Sequence, residues 1–135
     1  MTRYAKGANA ERELIHKLFD RGFSVVRVAG SGKTALPAPD IIALSRNKKL
    51  AFECKAWGSN SVSIPIEQMR ELVSWCERAG VEAFTGWKFP REGWFFLKPE
   101  HFTKTAHAYN CTKHNALKQK LDLNVITGRQ ATLKN

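Results

Sequence analysis

The chain has few cysteines, and the three that it has are far apart. Cys54, Cys76 and Cys111 form no Cys-x-x-Cys pair, so the sequence contains no disulfide framework and no paired zinc ligands. His107 and His114 flank Cys111, but their spacing matches no common zinc finger. The pattern is typical of reduced thiols, and we expect a cytoplasmic chain without structural zinc.

Long apolar runs, internal repeats and low-complexity segments are also missing. The first six residues are polar and basic, with no apolar stretch behind them, so we expect no signal peptide and no membrane-spanning helix. A length of 135 residues is enough for one domain with its own core but small for two.

Acidic residues are scarce relative to basic ones. The chain has 12 Asp and Glu against 22 Lys and Arg, which gives a formal net charge of +10. Each basic side chain placed at a phosphate releases counterions, so this excess predicts a polyanionic partner such as nucleic acid. The alternative is a basic protein without such a partner.

The hydrophobic pattern that is present predicts an α/β fold. Ala10, Leu14 and Leu18 recur every four residues and predict a helix over residues 8–21. A second apolar stripe predicts a helix over residues 65–79, and the loop over residues 58–63 is polar. The strand-like runs are residues 23–29, 40–44, 50–56, 81–89 and 94–98. This order predicts a mixed central β-sheet of about five strands flanked by helices.

The two ends of the chain lack this pattern. Residues 1–6 are predicted to be a flexible basic arm, whose Arg3 and Lys6 we expect to contact DNA. Residues 101–135 are polar and basic and are predicted to be a tail that is partly helical or disordered. The folded domain is therefore expected to span residues 7–100.

Asp40 and the segment Glu53-Cys54-Lys55 are the strongest functional signal. Side chains alternate along a strand, so Glu53 and Lys55 share a face and Cys54 points to the other. If Asp40 begins the neighbouring strand, it adds a second carboxylate, and carboxylate oxygens suit a hard divalent cation. A metal ion together with a lysine that orients or deprotonates water is the chemistry of phosphodiester hydrolysis. The alternative is a solvated strand edge, which the apolar residues before Glu53 argue against.

Three residues of the first helix and first strand extend this hypothesis. Glu11 lies at the margin of the apolar helix face, where a third carboxylate would complete the metal site or hold a metal-bound water. It would otherwise be a first-turn glutamate favoured by the helix dipole. Arg27 interrupts a run of valines, and its guanidinium suits phosphate. Arg12 is a second candidate phosphate ligand, or plain helix surface.

The glycine-rich loop after the first strand is similar to a nucleotide-binding loop but does not satisfy its pattern. Gly32-Lys33-Thr34 would need a glycine at position 27, which is Arg27, and the prolines that follow prevent a helix. We therefore expect no nucleotide cofactor. Ser31 and Lys33 remain candidates to contact DNA phosphates.

The second half of the chain is rich in aromatic residues. Most of them are expected in the core, and the surplus suggests an apolar interface such as that of a homodimer. The residues concerned are Trp75, Trp87, Trp94, Phe84, Phe89, Phe95 and Phe96.

Four blocks in order resemble the archaeal Holliday junction resolvase family, which belongs to the restriction-endonuclease-like nucleases. They are Gly7 to Leu14 (GANAEREL), Gly22 to Ser31 (GFSVVRVAGS), Pro39 to Ala43 (PDIIA) and Glu53 to Lys55 (ECK). The resemblance covers about residues 5–100. It implies a restriction-endonuclease-like fold and a homodimeric, magnesium-dependent endonuclease, with manganese as a substitute, that nicks four-way DNA junctions.

The resemblance also implies a role for each site residue. Asp40 and Glu53 would bind the metal with the Cys54 carbonyl, and Glu11 would be the outer carboxylate. Lys55 would position the attacking water. Arg12, Arg27 and Ser31 would hold the backbone phosphate, and the products would carry a 5′-phosphate and a 3′-hydroxyl.

The sequence leaves two alternatives open. One is a nuclease of the same fold that acts on flaps, mismatches or duplex DNA. The other is a non-catalytic junction-binding protein, although a binder would not need the set of Asp40, Glu53 and Lys55. An RNA-binding module is disfavoured because its characteristic motifs are missing.

Overall fold

A computed structural model of the protein describes residues 3–28, 36–56 and 58–128. The helices are α1 (Arg3–Asp20), α2 (Ile66–Ala79), α3 (Lys113–Lys118) and α4 (Leu123–Thr127), with a 3-10 turn at Pro99–His101. The strands are β1 (Ser24–Arg27), β2 (Ile41–Leu44), β3 (Lys49–Lys55), β4 (Ser61–Pro65), β5 (Glu82–Phe89), β6 (Gly93–Leu97), β7 (Thr103–Lys104) and β8 (Ala108–Thr112). None of the described helices is both long and apolar enough to cross a membrane.

The central sheet is mixed and has five strands, as predicted. Its order is β1-β2-β3-β5-β6. β3 and β5 run parallel, and the other neighbouring pairs are antiparallel. The antiparallel pairs β2–β3 and β5–β6 are hairpins with short turns. The parallel pair requires a crossover, which β4 and α2 provide.

Helices pack on both faces of this sheet and create two clusters of buried residues. On one face, here called the α1 face, the fully buried Leu14 and Leu18 pack with Phe52. On the opposite α2 face, Met69 packs with Ala51. Because Ala51 and Phe52 are adjacent in β3, the alternation of the strand assigns the next residues as well. Glu53 and Lys55 therefore point toward the α2 face.

A second, three-stranded sheet was not predicted. It has the order β4-β8-β7 with antiparallel pairs. The predicted polar loop over residues 58–63 was wrong from residue 61 onward, because Ser61–Pro65 forms β4, in which Val62 and Ile64 are almost fully buried while Ser61, Ser63 and Pro65 face solvent. Two apolar residues are too few to show an alternating pattern, and the partner strand β8 lies far along the chain.

The ends of the chain are more ordered than the sequence indicated. The first helix begins at Arg3, so the backbone of residues 3–6 is helical and does not form a separate arm. Residues 103–127 supply two strands and two helices, and they bury Cys111, Leu123 and Ile126 in the two clusters. They contribute these apolar residues singly to a core formed by other segments. No periodic stripe of apolar residues results, and the sequence pattern therefore did not predict this packing. The predicted boundary at residue 100 does not separate a folded domain from a tail.

Candidate active site

Asp40 is held at the start of β2 by backbone bonds to both neighbouring strands. Its N–H donates to the Phe52 carbonyl at 2.9 Å, and its carbonyl accepts from the Val28 N–H at 2.8 Å. The side chain is fixed as well, because Oδ2 accepts a hydrogen bond from the Cys54 N–H at 2.8 Å. Asp40 is thus locked against the end of β3. The strand β2 begins at Ile41, one residue after the predicted start, and it pairs with β3, so Asp40 lies beside Glu53 directly before the strand.

Glu53 and Lys55 lie together on the α2 face and are joined through Gln68 of α2. The Gln68 amide Nε2 donates to Glu53 Oε2 at 3.0 Å, and the Lys55 ammonium Nζ donates to Gln68 Oε1 at 3.3 Å. Sequence reasoning identified the acid and the base but missed the amide, which comes from a helix that follows them in the chain.

The electrostatics of the two carboxylates show a site with an excess of negative charge. The pKa of Glu53 is raised to about 8, mainly by burial and next by the nearby charge of Asp40, while Lys55 opposes the shift. Burial also raises the pKa of Asp40, although the bond from the Cys54 N–H lowers it. Both carboxyl groups are desolvated, and the charge of Asp40 disfavours the ionised form of Glu53; a bound cation would relieve both effects.

Glu11 approaches the pair from α1 but is engaged with an arginine. Its Oε1 accepts a hydrogen bond from Arg27 Nε at 2.8 Å, and the two side chains are only 18% and 23% exposed. Burial raises the pKa of Glu11, and the charge of Asp40 adds to the shift while Arg27 opposes it. In the part of the chain that the structure describes, no three His, Cys, Asp or Glu side chains form a group that would hold a metal ion. The predicted set of three carboxylate ligands is therefore not assembled, and Asp40 and Glu53 remain as a pair.

The donor atoms of this pair fit a hard divalent cation. They are carboxylate oxygens, which Mg²⁺ and Mn²⁺ prefer. Cys54 provides no soft ligand, because its side chain packs on the α1 face and burial raises the pKa of its thiol well above the usual range. A cation at Asp40 and Glu53 would thus meet oxygen donors and not a thiolate.

The predicted DNA ligands have different outcomes. Arg12 is exposed, and its guanidinium donates to the Asn9 side-chain oxygen at 3.4 Å. Ser31 and Lys33 lie outside the described residues, as do the side chains of Arg3 and Lys6. Arg27 is the predicted phosphate ligand that lies beside the carboxylates.

Comparison with known proteins agrees with this geometry. The sequence matches the family described as "Archaeal holliday junction resolvase (hjc)" over residues 2–133. The chain belongs to this resolvase family. The match extends beyond residue 100, in agreement with the ordered structure of the segment predicted to be a tail.

Individual relatives give the same result. The chain is 32% identical over 133 residues to the crossover junction endodeoxyribonuclease Hjc of Methanocaldococcus jannaschii, covering 98% of this chain and 94% of the relative. It is 34% identical over 101 residues to Hjc of Archaeoglobus fulgidus, covering 75% and 74%. A solved structure of A. fulgidus Hjc, described as a Holliday junction resolvase from an archaeal hyperthermophile, superposes with a TM-score of 0.82 at 28% identity over 91% of this chain and 96% of that one. The restriction-endonuclease-like fold expected from the sequence is therefore confirmed.

Gln68 is the residue of this resolvase site that the sequence analysis did not find. Gln68 is the third residue of α2, directly after Pro65-Ile66-Glu67. A glutamine at this position commonly bonds back to the N–H of the N-cap residue. The N-cap here is Pro65, which has no N–H. That mismatch is the local signal by which the sequence marks Gln68 as available for another partner.

Proposed function

We propose that this protein is a DNA endonuclease that resolves four-way junctions by hydrolysing phosphodiester bonds with a divalent metal ion, Mg²⁺ by preference. The observation that carries the proposal is the packing of Asp40 against the end of β3, which brings its carboxylate together with Glu53 and Lys55 on one face. The printed names of the relatives, crossover junction endodeoxyribonucleases, supply the substrate class.

The roles of the residues follow from their positions. Asp40 and Glu53 would hold the cation, with Glu11 as an outer carboxylate. When bound, the cation supplies positive charge at the scissile phosphate and at the departing oxygen. Lys55 holds and orients the attacking water. As the water oxygen bonds to phosphorus it releases one proton to solvent, the bond from phosphorus to O3′ breaks, and O3′ takes up a proton from solvent, which would leave a 5′-phosphate and a 3′-hydroxyl.

Arg27 would hold the phosphate next to the site. Its Nε donates to Glu11, and this bond orients the guanidinium, whose other N–H groups form a planar fork suited to phosphate. Arg12, which is exposed one position after Glu11, would extend the basic surface along α1. Arg3, Lys6, Ser31 and Lys33 are proposed as further phosphate contacts from the sequence.

We further propose that the working unit is a homodimer, since a four-way junction has approximate two-fold symmetry and needs two cuts. The α2 face of the sheet supports this. Helix α2 packs over β5, while Val26 and Leu44 on β1 and β2 are 56% and 41% exposed on the same face. Leu36 is 79% exposed and shares a groove with Trp75 of α2. A second copy that covers these apolar side chains would bring two sites together.

The test of the nuclease proposal compares wild type with Asp40→Asn on end-labelled DNA. The substrates are a four-way junction, a flap and a linear duplex, each with Mg²⁺ or EDTA. Asp20→Asn is the matched control, because Asp20 is exposed at the end of α1. We expect paired nicks on the junction that EDTA abolishes and that Asp40→Asn reduces by more than about 100-fold, beyond the effect of typical outer-shell changes. Junction binding should persist in the variant.

Other outcomes would change the proposal. Cleavage of the flap or the duplex at a rate similar to the junction would keep the nuclease and remove its junction selectivity. Binding without cleavage by wild type with either Mg²⁺ or Mn²⁺ would favour a non-catalytic junction-binding protein.

The dimer is tested by light scattering on Leu36→Glu. We expect wild type to have the mass of two chains and the variant to shift toward one, because a buried carboxylate at the interface would be desolvated. Phe19→Glu is the matched control, since Phe19 is 68% exposed on α1. Dissociation by Phe19→Glu, with Leu36→Glu still dimeric, would locate the interface on the α1 side and contradict the proposal.

A further inference from the structure

We propose that Gln68 is a positioning residue that holds the acid Glu53 and the base Lys55 in fixed orientation for the reaction. The inference rests on the proposed function and adds a residue to the site. One planar amide donates to Glu53 Oε2 at 3.0 Å and accepts from Lys55 Nζ at 3.3 Å. Each contact restrains one of these two side chains relative to the other.

The amide is suited to this position because it is neutral and has both a donor and an acceptor. The pKa of Glu53 is raised by the charges of three neighbouring carboxylates, Asp40, Glu11 and Glu71. The site therefore already has an excess of negative charge. A carboxylate at position 68 would add to that excess. An ammonium there would compete with the cation for Glu53. The amide restrains both partners without changing the charge.

The start of α2 makes the amide available. Gln68 is the third residue of the helix, and the N-cap Pro65 has no N–H to donate the hydrogen bond that the side-chain oxygen of a glutamine usually accepts at this position. No cap bond from the Pro65 side chain exists either. The amide is therefore free of the usual helix-capping role and turns toward β3.

The second sheet fixes where the helix begins. β4 continues directly into α2, and Pro65 pairs with Ala108 of β8. The Ile66 N–H donates to the His107 carbonyl at 3.2 Å, so the first turn of α2 is attached to the hairpin of β7 and β8. Val62 and Ile64 anchor the same segment in the buried cluster of the α2 face. This rigid support is what a positioning residue requires.

The test uses Gln68→Met, which keeps the length and removes both hydrogen bonds. Glu67→Gln is the matched control, since Glu67 is exposed in the same helical turn. Four quantities are measured for the full-length protein: the single-turnover cleavage rate at saturating enzyme, junction affinity in EDTA, Mn²⁺ affinity by electron paramagnetic resonance without DNA, and thermal unfolding. We expect Gln68→Met to lose about 10- to 100-fold in rate or in Mn²⁺ affinity. Junction affinity in EDTA should stay within about twofold, because no DNA contact is removed.

The outcomes separate this inference from the proposed function. If wild type cleaves and Gln68→Met matches it in rate and in Mn²⁺ affinity, the positioning role is wrong and the nuclease remains. If Gln68→Met loses rate only in proportion to its loss of folded protein, the residue is structural and the inference fails. If wild type binds Mn²⁺ but cleaves no DNA, weaker binding by Gln68→Met supports the positioning role while the nuclease proposal fails. If wild type neither cleaves nor binds Mn²⁺, both fail.

Discussion

Without metal, the stability of this protein should fall as the pH rises, and Glu53 should be the main cause. Burial raises the pKa of Glu53 from 4.5 to about 8 in the folded chain. A carboxyl group with a raised pKa binds more protons when folded than when unfolded. Its contribution to stability is therefore complete below about pH 4.5 and is lost as the pH rises through about 8. Most surface carboxylates that form ion pairs behave in the opposite way.

The magnitude follows from the width of this window. At 1.36 kcal/mol per pH unit, a window of about 3.5 units gives an upper limit of about 5 kcal/mol. Asp40 and Glu53 interact, so the pair titrates jointly, and a loss of about 2 to 4 kcal/mol is expected across the window. Such a loss is a large part of the typical stability of one domain, about 5 to 15 kcal/mol.

The assay is denaturant unfolding in EDTA at several pH values between about 5 and 8.5. Glu53→Gln is the isosteric neutral variant, and Glu82→Gln on β5, with a 53% exposed side chain, is the control. Glu53→Gln should be close to wild type at low pH and more stable by about 2 to 4 kcal/mol at high pH, because it carries no buried charge. Mg²⁺ at 100 times its dissociation constant should raise the free energy of unfolding of wild type at high pH by about 2.7 kcal/mol and that of Glu53→Gln by little. Equal pH dependence of wild type and Glu53→Gln would refute the reasoning.

Two further substitutions test other parts of the site. Thr85, beside Glu53 in the sheet, is fully buried, and its hydroxyl has no hydrogen-bond partner in the described structure. The free energy of unfolding of Thr85→Val should equal that of wild type or exceed it by up to about 1 to 2 kcal/mol. A lower free energy of unfolding would reveal a partner for the hydroxyl. Arg27→Met should weaken junction binding, measured by fluorescence anisotropy at several salt concentrations. The slope of log affinity against log salt concentration should become shallower by about one, because one phosphate contact is lost. An unchanged slope would exclude a phosphate contact.

The central sheet and its acidic pair could be predicted because their signals are local. β3 carries both the apolar run and the Glu-Cys-Lys triplet, so the face of each side chain follows from alternation alone. Helix α2 has a clear apolar stripe and begins within one residue of the predicted start. Asp40 was placed correctly because Pro39 and the apolar residues after Asp40 mark the start of a short strand.

The second sheet and Gln68 could not be predicted because they depend on contacts between distant segments. β4 has two buried residues, and its pairing with β8 forms only when the chain returns after residue 107. The buried residues Leu123 and Ile126 similarly enter a cluster whose other members lie before residue 100. Neither β4 nor the segment with Leu123 and Ile126 contains enough apolar residues to create a periodic hydrophobic pattern in the sequence. Pro65 before α2 indicates that the Gln68 amide has no capping role, but its partners Glu53 and Lys55 become evident only when the helix packs on β3.

The division of β3 between two packed faces explains why the site lies where it does. Phe52 and Cys54 belong to the α1 face, where the α1 residues fill the space against the sheet. An acid and a base on that face would be buried without water or substrate. On the α2 face, the helix packs over β5, while Val26 and Leu44 on β1 and β2 are exposed in the described part of the chain. Glu53 and Lys55 are therefore desolvated enough to interact strongly and still border accessible surface. The side of the sheet that we propose to admit DNA is continuous with the apolar surface proposed for the second subunit. Substrate access and dimerisation should therefore depend on the same half of the sheet. Burial within the single chain already raises the pKa of Glu53 to about 8, so a substitution that separates the subunits should leave that pKa raised.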